Sequence, residues 1–184
     1  AVCIQAGTTT ELNLADWGKA NGIEYNSVVS DTNAQTLTNY DAGRCDVLTT
    51  DASGLYSMRA AASDPSEHVV LPEIISKEPL GPVVRQGDDQ WFNIVRWSLN
   101  AMITAEELGV TSATVDEVTN NPERERLMGR SGSTHEYVGL TPDWTYQIVK
   151  QVGNYAESFE RNIGLSTPIG IARGFNALWS QGGI

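Results

Sequence analysis

The sequence predicts an α/β fold in two parts, and three observations carry that expectation. The chain opens on Val2-Cys3-Ile4-Gln5-Ala6-Gly7-Thr8-Thr9-Thr10-Glu11, a short strand that turns at a glycine into a helix start. Strand-like runs then alternate with helices of about a dozen residues up to residue 77, the pattern of βαβ units around a parallel sheet. From residue 88 onward, apolar residues recur at helical spacing. Residues 1–77 are therefore expected to form one α/β lobe, 78–87 an extended crossing, and 88–184 a helical region.

The opening turn carries the first chemistry. Thr8 and Glu11 fit a Ser/Thr-x-x-Glu capping box, in which hydroxyl and carboxylate satisfy N–H groups of the first turn. Gly7 permits close approach of a ligand to the backbone, and the remaining N–H groups with the helix dipole favour an anion. A plain βα turn fits the same residues.

A helix over Thr9–Ala20 follows, stopped at Asn21-Gly22, and then a strand over Ile23–Val29. Ser30 or Asp31 is expected to cap a second helix through Ala34, Leu37 and Tyr40, closed by Gly43. Cys45–Thr50 reads as a third strand, and Asp51 as the cap of a third helix through Leu55 and Met58. Val69-Val70-Leu71 reads as a fourth strand. In parallel sheets ligands lie beyond the carboxyl ends of the strands, which puts Gln5 to Thr9 and Thr49 to Asp51 on one rim.

Glu73 to Arg85 is extended and punctuated by Pro79 and Pro82. It reads as a crossing between lobes or a hairpin with a long loop. Asp88 can cap a long helix with Trp91, Ile94, Val95, Leu99, Met102 and Ile103 on one face, a stripe that reads as core. Short helices are expected around Val115–Val118 and Arg124–Met128, and a loop from Arg130 to Gly139. Thr141-Pro142-Asp143 opens a second long helix with Trp144, Ile148, Tyr155 and Phe159 on its buried side. Ile171–Trp179 is expected to be a last helical segment, closed by Gly182-Gly183.

Composition narrows the function classes. A net charge of −11 over 184 residues argues against a nucleic-acid partner, which would require a basic face. No run approaches the roughly 20 apolar residues of a membrane span. No leader-like run precedes Val2, and a mature product and a fragment both fit that start. His68 and His135 lie in no metal-binding spacing, and GxSxG, GxxxxGK[ST] and GxGxxG motifs are absent, so no metal, cofactor or catalytic group is indicated. The two cysteines, Cys3 and Cys45, each begin an apolar segment. A disulfide between neighbouring strands, implying an oxidising compartment, and a pair of buried thiols both fit.

What remains is a complementary pair on the rim. The N–H groups of Gly7 to Thr10 suit a carboxylate, and the side chain of Asp51 suits an ammonium. Together they match the zwitterion of an α-amino acid. Asp51 as a plain helix cap is the competing reading.

These residues also carry a resemblance. Gln5–Glu11, Gly43–Asp51 and Pro72–Arg85, with Gly87–Phe92, Ala105–Ser112 and Ile171–Trp179, resemble the general L-amino-acid-binding periplasmic proteins of ABC transporters, of the type II periplasmic-binding-protein family. The resemblance implies two α/β lobes closing over an amino acid, with Thr8 and Thr9 at its carboxylate and Asp51 at its amino group. Gln5 and Gly7 sit in the matching turn. It also implies periplasmic capture of L-amino acids for a membrane permease. Members of that family carry a further segment ahead of the residue matching Ala1. The chain thus resembles a complete second lobe, the crossing, and helices of an incomplete first lobe. Two other classes stay open: an interaction module that binds no ligand and dimerises, recruits the missing first-lobe segment or docks on a transporter, and an enzyme on the same scaffold using Glu78 as acid or base.

Overall fold

A computed structural model describes residues 1–78 and 80–183. Pro79, within the expected crossing, and Ile184, at the end of the helical region, lie outside the described residues. The chain divides into two compact units, Ala1–Leu80 and Gly81–Ile184.

The first unit is built on a three-stranded parallel sheet in the order β2-β1-β3. These strands are β1 (Val2–Gln5), β2 (Ser27–Ser30) and β3 (Val47–Leu48). Cys3 stands opposite Val28 on one side and Leu48 on the other, and Cys3 and Ile4 of the central strand are buried. The helices are α1 (Thr9–Asn21), α2 (Asn33–Asp41) and α3 (Ala52–Ala61). Helix α1 ends at Gly22, whose left-handed backbone (φ 64°) turns its N–H back to the carbonyls of Gly18 and Lys19.

Three details depart from the sequence pattern. Strand β2 starts at Ser27 rather than Ile23, because the Ile23 N–H donates to the Gly18 carbonyl (2.9 Å) and Tyr25 packs over Gly18. Helix α2 is capped by Thr32, whose Oγ1 accepts from the Gln35 N–H (3.2 Å), and not by Ser30 or Asp31. The Ser30 hydroxyl instead accepts from Asn39 Nδ2 (2.9 Å). Val69–Leu71 forms no strand; Val69 and Leu71 are exposed. An extended run becomes a strand only where an edge takes its backbone groups, and the adjacent Pro72 supplies no N–H.

The second unit is helical: α4 (Asp89–Glu107), α5 (Pro122–Leu127), α6 (Trp144–Val152) and α7 (Tyr155–Asn162). Asp88 caps α4, its Oδ1 accepting from the Trp91 N–H (2.9 Å). Ala105, Val110, Val115, Met128 and Val149 form the core. The apolar stripe of α4 is not wholly core, since only Ala101 and Ala105 of that helix are buried while Trp91, Phe92 and Trp97 are 52%, 47% and 48% exposed.

No helix forms around Val115–Val118. The backbone N–H of Thr111 donates to the Thr114 hydroxyl and that of Thr114 to the Thr111 hydroxyl, which holds a turn just ahead of that stretch. Helix α5 begins earlier than Arg124, at Pro122, because Asn121 Oδ1 accepts from the N–H groups of Glu123 and Arg124. The stretch from Arg130 to Gly139 contains one 3-10 turn, Thr134–Tyr137. The expected long helix from Trp144 is two. Gly153 (φ 96°) breaks it, and Asn154 restarts it in a full capping box with Glu157. The expected last helical segment forms 3-10 turns at Gly174–Asn176 and Trp179–Gln181 rather than a helix, with Gly174 at φ 49° opening the first. Arg173 fastens this segment by pairing with Glu106 (2.9 Å) and lying over the rings of Tyr155 and Phe159.

Candidate amino-acid site

The site is built from the turn after β1 outward. Gly7 holds φ 67°, a conformation that costs a glycine little, and the chain then enters α1. Thr8 is the cap: its hydroxyl donates to the Gln5 carbonyl (2.9 Å) and accepts from the Glu11 N–H (3.3 Å). The Glu11 carboxylate reaches one residue further back than a capping box requires, accepting from the Gly7 N–H at 2.8 Å. Among the described residues, the N–H groups of Thr8, Thr9 and Thr10 have no protein partner.

Asp51 lies just past the carboxyl end of β3 and occupies the cap position of α3. Its carbonyl accepts from the Leu55 N–H (2.9 Å), which starts the helix. Its carboxylate makes no capping bond, and no other hydrogen bond or ion pair to it occurs among the described residues. Because β1 and β3 pair in parallel, with the Thr49 N–H donating to the Cys3 carbonyl (3.2 Å), both turns leave the same edge of the sheet.

Gln5 is at this edge as well, but its Nε2 donates to the Asp31 carbonyl (3.1 Å) and ties the ends of β1 and β2 together. Beyond β2, Ser30, Asp31, Gln35, Asn39 and Arg44 line a polar depression of about 280 Å³. In the sequence Ser30 and Asp31 read only as helix caps, and Gln35, Asn39 and Arg44 carry no signal of their own; the hydroxyl and acid run Ser30-Asp31-Thr32 at a strand end was the available one. Glu78, the acid-base candidate, accepts from Asn13 Nδ2 (2.9 Å). Cys3 and Cys45 are joined in a disulfide with their Cα atoms 5.7 Å apart, which resolves the two readings of the cysteines.

Comparison with known proteins agrees with this architecture. No family model matches the sequence. A solved ABC transporter periplasmic binding protein from Brucella ovis, with glutathione bound, superposes with a TM-score of 0.94 at 52% identity, over all of this chain and 58% of that one. The fold is that of a periplasmic binding protein.

The curated relatives that the chain matches carry the names of amino-acid-binding proteins. The general L-amino acid-binding periplasmic protein AapJ of Rhizobium johnstonii is 58% identical over all of this chain and 55% of its own length. The glutamate/glutamine/aspartate/asparagine-binding protein BztA of Rhodobacter capsulatus is 52% identical over all of this chain and 55% of its own. The chain thus spans about half the length of the curated relatives it matches.

Proposed function

We propose that the chain takes part in capturing L-amino acids in the periplasm for an ABC importer. The backbone N–H groups of Thr8 and Thr9 take the α-carboxylate and Asp51 takes the α-ammonium. One observation carries this reading: the Asp51 carboxylate stands at a helix cap without capping, on the sheet edge where the first N–H groups of α1 are also unpaired. Charge-assisted bonds of this kind are the strong ones in a binding site. Gly7 shapes the turn, and Gln5 braces it through Asp31. The protein acts by binding and release, with a membrane permease as its downstream partner and no turnover of its own. Residues 1–77 serve as a ligand-holding lobe, 78–87 as the connection, and 88–184 as helices that complete the body of the protein.

The head group sets the ligand class. Glutathione, which the Brucella ovis protein holds, has a free α-ammonium and a free α-carboxylate on the carbon of its γ-linked glutamate. The same two contacts therefore serve a free amino acid and a γ-linked peptide. An α-linked Glu-Cys-Gly peptide spends that carboxylate in its first peptide bond and lacks the head.

The test is a titration of the ¹⁵N-labelled chain, followed by NMR, with L-glutamine, glutathione and α-linked Glu-Cys-Gly. The first two shift the amides of Thr8 to Thr10, the third does not, and Asp51→Ala weakens the first two about 10- to 100-fold, as expected for a lost charged hydrogen bond. Unchanged affinity in Asp51→Ala overturns the assignment.

The exposed aromatics of α4 favour a second reading, association with another copy or with further chain. Light scattering on the same sample reads it directly: a monomer that binds L-glutamine rules it out as the main role.

A further inference from the structure

Resting on the amino-acid reading above, we propose that Glu11 is a positioning residue that sets how tightly the rim holds a carboxylate. Its own carboxylate already occupies one donor of the niche, the Gly7 N–H, at 2.8 Å. In an ordinary capping box the acid would satisfy the N–H of the cap residue, here Thr8. In this chain it sits one residue further out, and the Thr8 N–H stays open.

Two consequences follow for a ligand carboxylate. It has Thr8, Thr9 and Thr10 as donors but not Gly7. It also binds beside a fixed negative charge that repels it. Both effects hold affinity below what the backbone donors and the helix dipole would give alone. A carrier must release its ligand as well as bind it, and a like charge beside the niche lowers affinity while leaving the donor geometry intact. The cap itself does not depend on this side chain, because the Thr8 hydroxyl accepts from the Glu11 backbone N–H.

That separation makes the role testable. Glu11→Gln keeps an acceptor for Gly7 and removes the charge, whereas Glu11→Ala removes both and frees the Gly7 N–H. Each labelled variant is titrated with L-glutamine and with its α-carboxamide, L-glutamine amide, reading the amides of residues 7–10 and checking the fold from the rest of the spectrum. Glu11→Gln is expected to bind L-glutamine about 2- to 5-fold tighter at low salt, with the gain shrinking as salt screens the charge. Glu11→Ala gains at least as much.

The carboxamide, which has no carboxylate to repel, gains nothing in Glu11→Gln, the variant that removes the charge and keeps the Gly7 N–H occupied. A role in helix stability alone would move both ligands together. Equal tightening for both ligands in Glu11→Gln, or none for L-glutamine, overturns the role of Glu11 while leaving the amino-acid site standing. If L-glutamine and its carboxamide bind the unaltered chain equally, or if neither shifts residues 8–10, the amino-acid reading itself fails and the role of Glu11 goes with it.

Discussion

Breaking the Cys3–Cys45 disulfide is expected to cost the first unit about 4 kcal/mol of stability. The bond joins residues 42 apart in sequence. In the chain-entropy account, closing a loop of that size removes about 13 cal/mol/K from the unfolded ensemble, which is ~4 kcal/mol at 25 °C. For a unit of this size each kcal/mol moves the melting temperature by about 4–8 °C, so the expected drop is about 15–30 °C. Both sulfurs are buried, so Cys3→Ala with Cys45→Ala is a cleaner variant than a serine pair, which would bury two hydroxyls. The assay is hydrogen exchange of the β1 and β2 amides, which report the first unit alone, with far-UV circular dichroism melts of the oxidised, reduced and double-alanine proteins. A drop below about 5 °C in both reduced and variant protein would refute the reasoning, since it would mean that loop closure contributes little here. The bond also lies at the foot of the site: Cys3 precedes Gln5 by two residues, and Cys45 precedes β3, whose end carries Asp51. Loss of amide protection should therefore spread to Gly7 and Thr49 before it reaches α2.

Two further outcomes concern the helical unit. Val149→Ala empties part of a fully buried core made with Ala105, Val110, Val115 and Met128, and should cost about 1–3 kcal/mol in denaturant melts. Glu157 is half-buried, which pushes its carboxyl pKa up, but hydrogen bonds from the Ser112 hydroxyl (2.6 Å) and from the N–H groups of Asn154 (2.9 Å) and Ser112 (3.0 Å) outweigh burial and hold it below the ordinary glutamate value. A lowered folded pKa contributes stability above the unfolded value of about 4.3, lost as the pH falls through the folded value. Glu157→Gln should therefore lose melting temperature at pH 7 and show a shallower decline than the unaltered chain below about pH 4.3.

The elements that the sequence made legible are those decided within a few residues. The opening strand, Gly7, the Thr8 cap, Gly22 and Asp88 all follow from local donor and acceptor chemistry, and each stands where that chemistry put it. The departures came where a longer-range partner decided. Tyr25 is drawn onto Gly18 and out of a strand, and Val69–Leu71 has apolar residues but pairs with none of the described strands. Helix periodicity ran through Trp144 to Phe159, although Asn154-x-x-Glu157 carries its own start signal. Periodicity tolerates one misplaced residue, whereas a backbone at φ 96° with the next asparagine bonded both ways to Glu157 cannot continue a helix.

Asp51, proposed above as the ammonium partner, shows why a binding residue is hard to tell from a structural one in sequence. Helix cap and ammonium partner were opposed readings, yet the geometry makes them compatible. The cap position needs only the backbone carbonyl that accepts from Leu55, so the side chain is left over. A capping aspartate with no capping bond forgoes roughly 1 kcal/mol of helix stability, and its exposed carboxylate is left free to take an external partner. The α4 stripe makes the complementary point. The buried residues of that helix are Ala101 and Ala105, small side chains beside the stripe on the half of the helix that packs against its neighbours, whereas Trp91 of the stripe and the nearby Phe92 and Trp97, which would bury the most area, are half exposed. Periodicity identifies an apolar face but carries no information on what covers it. An alanine beside that face is explained by the packing of this unit, and a tryptophan on it is not.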